Sequence, residues 1–92
     1  MQAHNNLGVV FWNLKSFRLA EEEFKRTLAL APDNAETRAN LAGVYMALGE
    51  PQNAVPHLER VLALQPGNAY AARLLAAAKS ANAAVGANAA SR

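Results

Sequence analysis

Ninety-two residues, half of them apolar, with a formal charge of +2, make one small domain that buries about two-thirds of the surface its unfolded chain exposes. Lys and Arg are spread over Lys15, Arg18, Lys25, Arg26, Arg38, Arg60 and Arg73 with no basic stripe, which argues against a nucleic-acid partner. No cysteine is present, so disulfides and thiolate metal sites are excluded and the compartment is left open.

Taken in chain order, Leu7, Phe11 and Leu14 fall at i, i+4, i+7 and predict an amphipathic helix with those residues as its packing stripe. The apolar run Leu7 to Trp12 is too short to span a bilayer, and no Lys or Arg precedes it as in a signal peptide. Phe17, Ala20, Phe24 and Leu28 mark a second helix. Lys15-Ser16 leaves room for only a tight turn between the two, so they run antiparallel, with Ser16 a candidate N-cap. The run Glu21-Glu22-Glu23 lies near the N-terminus of the second helix, where the dipole and i, i+4 pairing with Lys25 and Arg26 account for it.

Pro32, followed by Asn34, ends this hairpin and opens the next. Leu41, Tyr45 and Leu48 then predict a third helix, stopped by Gly49. Pro51 begins a fourth, carrying Ala54, Leu58, Val61 and Leu62. Pro56 falls inside it and is expected to bend its first turn or delay its start, because the ring removes the bond to the Gln52 carbonyl. Pro66 and Asn68 repeat the boundary. A last helix, with Leu75-Ala76 in phase with Leu7-Gly8 and Leu41-Ala42, has no partner. Its polar Arg73, Lys79 and Ser80 suit the open end of a stack.

The order is a repetition. Between residues 1–34 and 35–68, eleven of the 34 aligned pairs are identical, a period typical of a unit that cannot bury its apolar face alone and must stack on neighbours. The small residues Gly8, Ala20, Ala42 and Ala54 permit close helix packing. The expected fold is all-α: an α-α superhelix of two antiparallel helical hairpins (1–34 and 35–68), a capping helix (69–82) and an Ala-rich tail (83–92) expected to fray.

These residues resemble the tetratricopeptide repeat family. The matches are Leu7, Gly8, Phe11, Ala20, Phe24 and Pro32, then Leu41, Ala42, Tyr45, Ala54, Leu58 and Pro66. His4 and Arg38 stand where the family prefers a bulky apolar residue, Thr27 and Val61 where Ala is usual, and Lys15 where Gly49 fits better. The chain opens in phase with the repeat and without an N-terminal cap, so a fragment of a longer array is expected.

A second stripe of the leading helices is not needed for packing. Gln2, Asn6, Val9 and Asn13 form it in the first hairpin. Glu36, Asn40, Gly43 and Ala47, with Met46 beside them, form it in the second, and Tyr70, Arg73 and Leu74 continue it in the cap. The resemblance implies that this stripe lines a concave groove where peptides dock. Asn6 and Asn40 resemble the Asn ladder of peptide-modifying sugar transferases, in which an amide bonds the backbone C=O and N–H of an extended guest without reading its sequence.

A net gain of roughly 0.5 to 1.5 kcal/mol per hydrogen bond leaves two such residues short of the roughly 8 kcal/mol of a micromolar complex. Apolar anchors must supply the rest. Trp12 is the candidate, and the alternatives for it are packing against a preceding helix or against a second copy. Members that grip chaperone carboxylates place Lys and Asn in the first repeat and Lys and Arg in a third. Here those places hold Asn5, Val9, Tyr70 and Leu74, with only Asn40 fitting, so chaperone tails are disfavoured.

Catalysis, cofactors and metals find no support. His4 and His57 lack a second ligand at i+4, Ser16, Ser80 and Ser91 lack a nucleophile-elbow context, and Gly43 to Gly49 spans a helix, not a phosphate loop. The expected role is a non-enzymatic protein-interaction module. The alternatives are self-association through the Asn5 to Trp12 edge and a recruiting arm of a larger enzyme such as a glycosyltransferase.

Overall fold

The computed structural model describes the backbone of residues 2–90 and the side chains of residues 7–81. Among the described residues five helices follow one another: α1 (Gln2–Asn13), α2 (Phe17–Leu30), α3 (Ala35–Ala47), α4 (Pro51–Leu64) and α5 (Ala69–Ala90). Each packs chiefly on its chain neighbours, so α1–α2 and α3–α4 are hairpins, α3 docks on α2, and α5 closes the stack on α4. The described residues are all-α, as the periodicity requires. Helix α5 runs past residue 82, where the capping helix was expected to give way to the tail, because alanine is the strongest helix former.

Both hairpins close through the same turn. Ser16 N–H bonds the Phe11 carbonyl at 2.8 Å and Lys15 N–H that of Trp12 at 2.9 Å, while Glu50 bonds Tyr45 at 2.8 Å and Gly49 bonds Met46 at 3.1 Å. This double closure needs a left-handed residue. Gly49 supplies it at φ 75° without steric cost, and Lys15 supplies it at φ 60° against its own Cβ. Ser16 makes no side-chain cap bond, contrary to expectation. Its ψ of 69° departs from the extended conformation that swings a cap over the helix amides. Asn34 and Asn68 do cap, their Oδ1 atoms accepting from Thr37 N–H at 3.0 Å and Ala71 N–H at 2.9 Å.

Helix α4 begins at Pro51 and runs through Pro56 without delay. Pro56 is exposed, so water can meet the Gln52 carbonyl it leaves free.

The core comprises Ala20 and Phe24 of α2, Leu41, Ala42, Val44 and Tyr45 of α3, Ala54, Leu58 and Val61 of α4, and Ala71 and Ala78 of α5. The stripe expected on α1 behaves differently. Of its members Leu7 is 45% exposed and Leu14 67%, with the neighbouring Val10 49% exposed, whereas the equivalents Leu41 and Val44 are fully buried and Leu48 is half-buried. The reason is position in the stack. α3 has α2 on one side and α4 on the other, while among the described residues α1 packs on α2 and otherwise touches α3 alone. Gly8 and Phe11 serve as its packing residues.

Small and large residues are matched across each hairpin. A Cβ on Gly8 would stand 2.4 Å from Phe24 Cε1 and 2.7 Å from Cζ, and the ring is buried and cannot swing away. In the second hairpin the equivalent positions are Ala42 and Leu58, a larger residue opposite a smaller one, both fully buried.

Polar side chains fasten the hairpins together. Arg18 pairs with Glu50, and Arg60 reaches Asp33 at 2.7 Å. Within α2, Lys25 pairs with Glu21 at 3.3 Å, while Arg26 takes Glu23 at 3.0 Å, one residue nearer than the i, i+4 partner expected. Burial pushes the Glu21 carboxyl up, but bonds from Tyr45, Arg18 and Lys25 outweigh it and hold it below its ordinary value. The same burial and the Glu21 charge push the Tyr45 phenol well above its usual range.

Arg38 earns its polar character at a position where an apolar residue is usual. Its Nε donates to the Pro32 carbonyl at 2.9 Å and its Nη1 lies 3.2 Å from His57 Nδ1. A guanidinium only donates, so the imidazole accepts and is neutral. The ring also stacks on Tyr45 at 5.9 Å. Burial, then the charges of Arg38 and Lys25, lower the His57 pKa.

Two predictions follow from this packing. Gly8→Ala forces overpacking that costs about 1–3 kcal/mol, exceeding the helix propensity gained, and lowers the melting temperature by several degrees. An unchanged or higher melting temperature would contradict the packing. Because the unfolded chain protonates His57 more readily than the folded one, stability is full above pH about 6.5 and declines as pH falls through it, levelling below the folded pKa. Thermal melts between pH 7 and pH 5 should show a steeper decline in the native chain than in His57→Gln.

Candidate functional site

The leading helices α1, α3 and α5 present one side to a common concavity. Val9 and Trp12 enter from α1, Asn40 and Gly43 from α3 and Tyr70 from α5, with the Phe24 ring of α2 behind them. Together they line a cavity of about 180 Å³. Val9 and Trp12 lie three residues apart and so share a face of α1, as Asn40 and Gly43 do on α3.

Trp12 packs edge-on against Phe17 at 5.3 Å, which fixes the indole, and remains 38% exposed. Tyr70 is 52% exposed. The two converge over Gly43: a Cβ built there would lie 3.5 Å from Trp12 Cη2 and 3.7 Å from the Tyr70 hydroxyl. Asn40 is half-buried at the cavity wall, and its amide has no hydrogen-bond partner among the described residues. Among the described residues no charged side chain lines the cavity.

Other residues of the stripe stand apart. Met46 is half-buried against the core, as is Leu74, while Asn13, Glu36, Ala47 and Arg73 are exposed outside the cavity. Gln2 and Asn6, with His4 and Asn5, lie outside the described side chains. Phe24 was legible only as core, although its ring also backs the cavity. The change from Val9 to Gly43 between equivalent positions was the sequence signal that marks the cavity floor.

The cavity can take up an apolar group and offer it one amide and one phenol hydroxyl. Among the described residues no group of three or more His, Cys, Asp or Glu could hold a metal ion. Nor is any described helix long and apolar enough to cross a membrane.

A family model described as tetratricopeptide repeat matches residues 14–78. Among solved structures, the first tetratricopeptide repeat domain of Spaghetti (RPAP3), bound to the HSP90 peptide SRMEEVD, is similar over 87% of this chain and 64% of its own, with a TM-score of 0.84 and 28% identity. The APC/C hetero-tetramer Cut9–Hcn1 contains a chain similar over 82% of this one, with a TM-score of 0.78 and 31% identity. This chain covers only 14% of that one. No curated protein matches in sequence. With helical hairpins stacked at the period of the sequence repeat and the match running from α1's end into α5, the chain belongs to the tetratricopeptide repeat family.

Proposed function

We propose that this chain is a non-enzymatic interaction module that takes an extended peptide segment of a partner protein along the concave face of α1, α3 and α5. The observation that carries this reading is the Asn40 amide, without a hydrogen-bond partner among the described residues, beside a cavity walled by Trp12, Tyr70 and Val9. An amide left facing solvent loses nothing by itself, but next to apolar surface it lets a guest bury a side chain while its backbone polar groups remain bonded. Asn6 holds the equivalent position of the first repeat in the sequence, and the exposed Asn13, Glu36 and Arg73 are the candidates for the margins of the row.

The peptide in the Spaghetti complex is acidic. In the present chain Val9 and Tyr70 occupy the cavity wall where a carboxylate would need a cation, so an uncharged guest is favoured over an acidic tail.

A random nonapeptide display library, selected on the intact chain, supplies the test. Selected peptides should bind Asn40→Ala about 5- to 100-fold more weakly, the loss of two hydrogen bonds, and the Asn6→Ala, Asn40→Ala pair more weakly still, with helicity unchanged. The peptide SRMEEVD should bind poorly and gain nothing from low salt. Equal binding by the Asn variants, or tight salt-sensitive capture of SRMEEVD, would overturn the assignment.

A second reading is self-association, supported by the exposed row Leu7, Val10 and Leu14, of whose counterparts in the second hairpin Leu41 and Val44 are fully buried and Leu48 half-buried. Light scattering on the purified chain separates the two. A dimer that Val10→Lys converts to monomer supports self-association, and a monomer at high concentration removes it.

A further inference from the structure

Glycine stands in the middle of α3 at residue 43, where it costs up to about 1 kcal/mol of helix stability relative to alanine. The usual reasons for accepting that cost are absent. Among the described residues, only Gly49 and Lys15 adopt a positive φ, so the backbone at Gly43 does not require glycine. Nor does close packing. The Cβ that Gly8 cannot accommodate would meet Phe24 at 2.4 Å, but one on Gly43 would meet Trp12 and Tyr70 at 3.5 Å and beyond, ordinary contact distances. What the missing side chain leaves is room on the cavity floor.

Resting on the peptide-groove reading, we infer that the space over Gly43, between Trp12 and Tyr70, receives one uncharged apolar side chain of the guest peptide. The cavity of about 180 Å³ is several times the roughly 30 Å³ share of a water molecule and admits an aliphatic or proline side chain. Its walls are two aromatic groups and Val9, with Phe24 behind, and they offer dispersion contact. No charged group among the described residues lines it, so a carboxylate or ammonium entering would lose hydration without gaining a counter-ion. Asn40, one turn before Gly43 on the same face, is placed to bond the backbone of the residue that inserts. Gly43 thus sets the depth of the slot, and Trp12 and Tyr70 its width.

The chain has a single tryptophan, so the emission of Trp12 reports directly on the slot. Nine-residue Gly/Ser host peptides carrying Leu, Pro, Lys or Glu at the centre serve as probes, titrated against the full chain. The Leu and Pro peptides should shift the emission to the blue and bind at least about 10-fold more tightly than the Lys and Glu peptides. Gly43→Val should abolish that preference by filling the slot. Gly43→Ala, which meets no collision, should narrow the preference while raising the melting temperature, so a loss of binding cannot be ascribed to unfolding. Equal binding of all four peptides with Gly43→Val unchanged would overturn the slot while leaving the groove standing. Failure of all four, together with failure of any library peptide to bind, would overturn both.

Discussion

The structure depends on the covering of one helix by the hairpin before it. Leu41 and Val44 belong to a helix packed on both α2 and α4 and are fully buried, and the same positions of α1, packed on α2 with slight contact to α3, are left half in water. Sequence identity between the two hairpins therefore does not mean equal environments. An aliphatic row that is core in one unit is surface in the next, and the difference comes from the number of neighbours, not from the residues.

Stacking also makes the site. Three helices that do not follow one another in sequence are brought side by side because each hairpin sends its return helix to the outer layer. Side chains from α1, α3 and α5 then meet over Gly43 although 58 positions separate Trp12 from Tyr70. No single hairpin contains the cavity. The volume balance of the interior keeps this geometry in register, with Gly8 yielding to Phe24 in one unit and Ala42 facing the slimmer Leu58 in the other.

Much of this was legible in the residues. Hairpin boundaries follow from Pro32, Asn34, Pro66 and Asn68, whose effects are local. The concave row followed from helical spacing, which places Val9 beside Trp12 and Asn40 beside Gly43. What could not be read was anything set by neighbours distant in sequence. Leu7 and Leu14 have the spacing of core residues, and nothing local tells whether a helix covers them. Met46 matches the row by spacing yet turns toward the core. Ser16 is a suitable cap by type, but the left-handed Lys15 before it fixes the chain at an angle that its hydroxyl cannot use. Arg38 looked like a departure from the family pattern until the Pro32 carbonyl and His57 were found beside it.

Lys15 has one more consequence. A left-handed lysine taxes the closing of the first hairpin, whereas Gly49 closes the second freely. The second hairpin therefore closes with less backbone strain than the first. Since α1 contributes Trp12 and Val9 to the cavity, that strain bears on one of its walls, and in the proposed peptide-binding role the strength of capture would follow the local stability of the first hairpin.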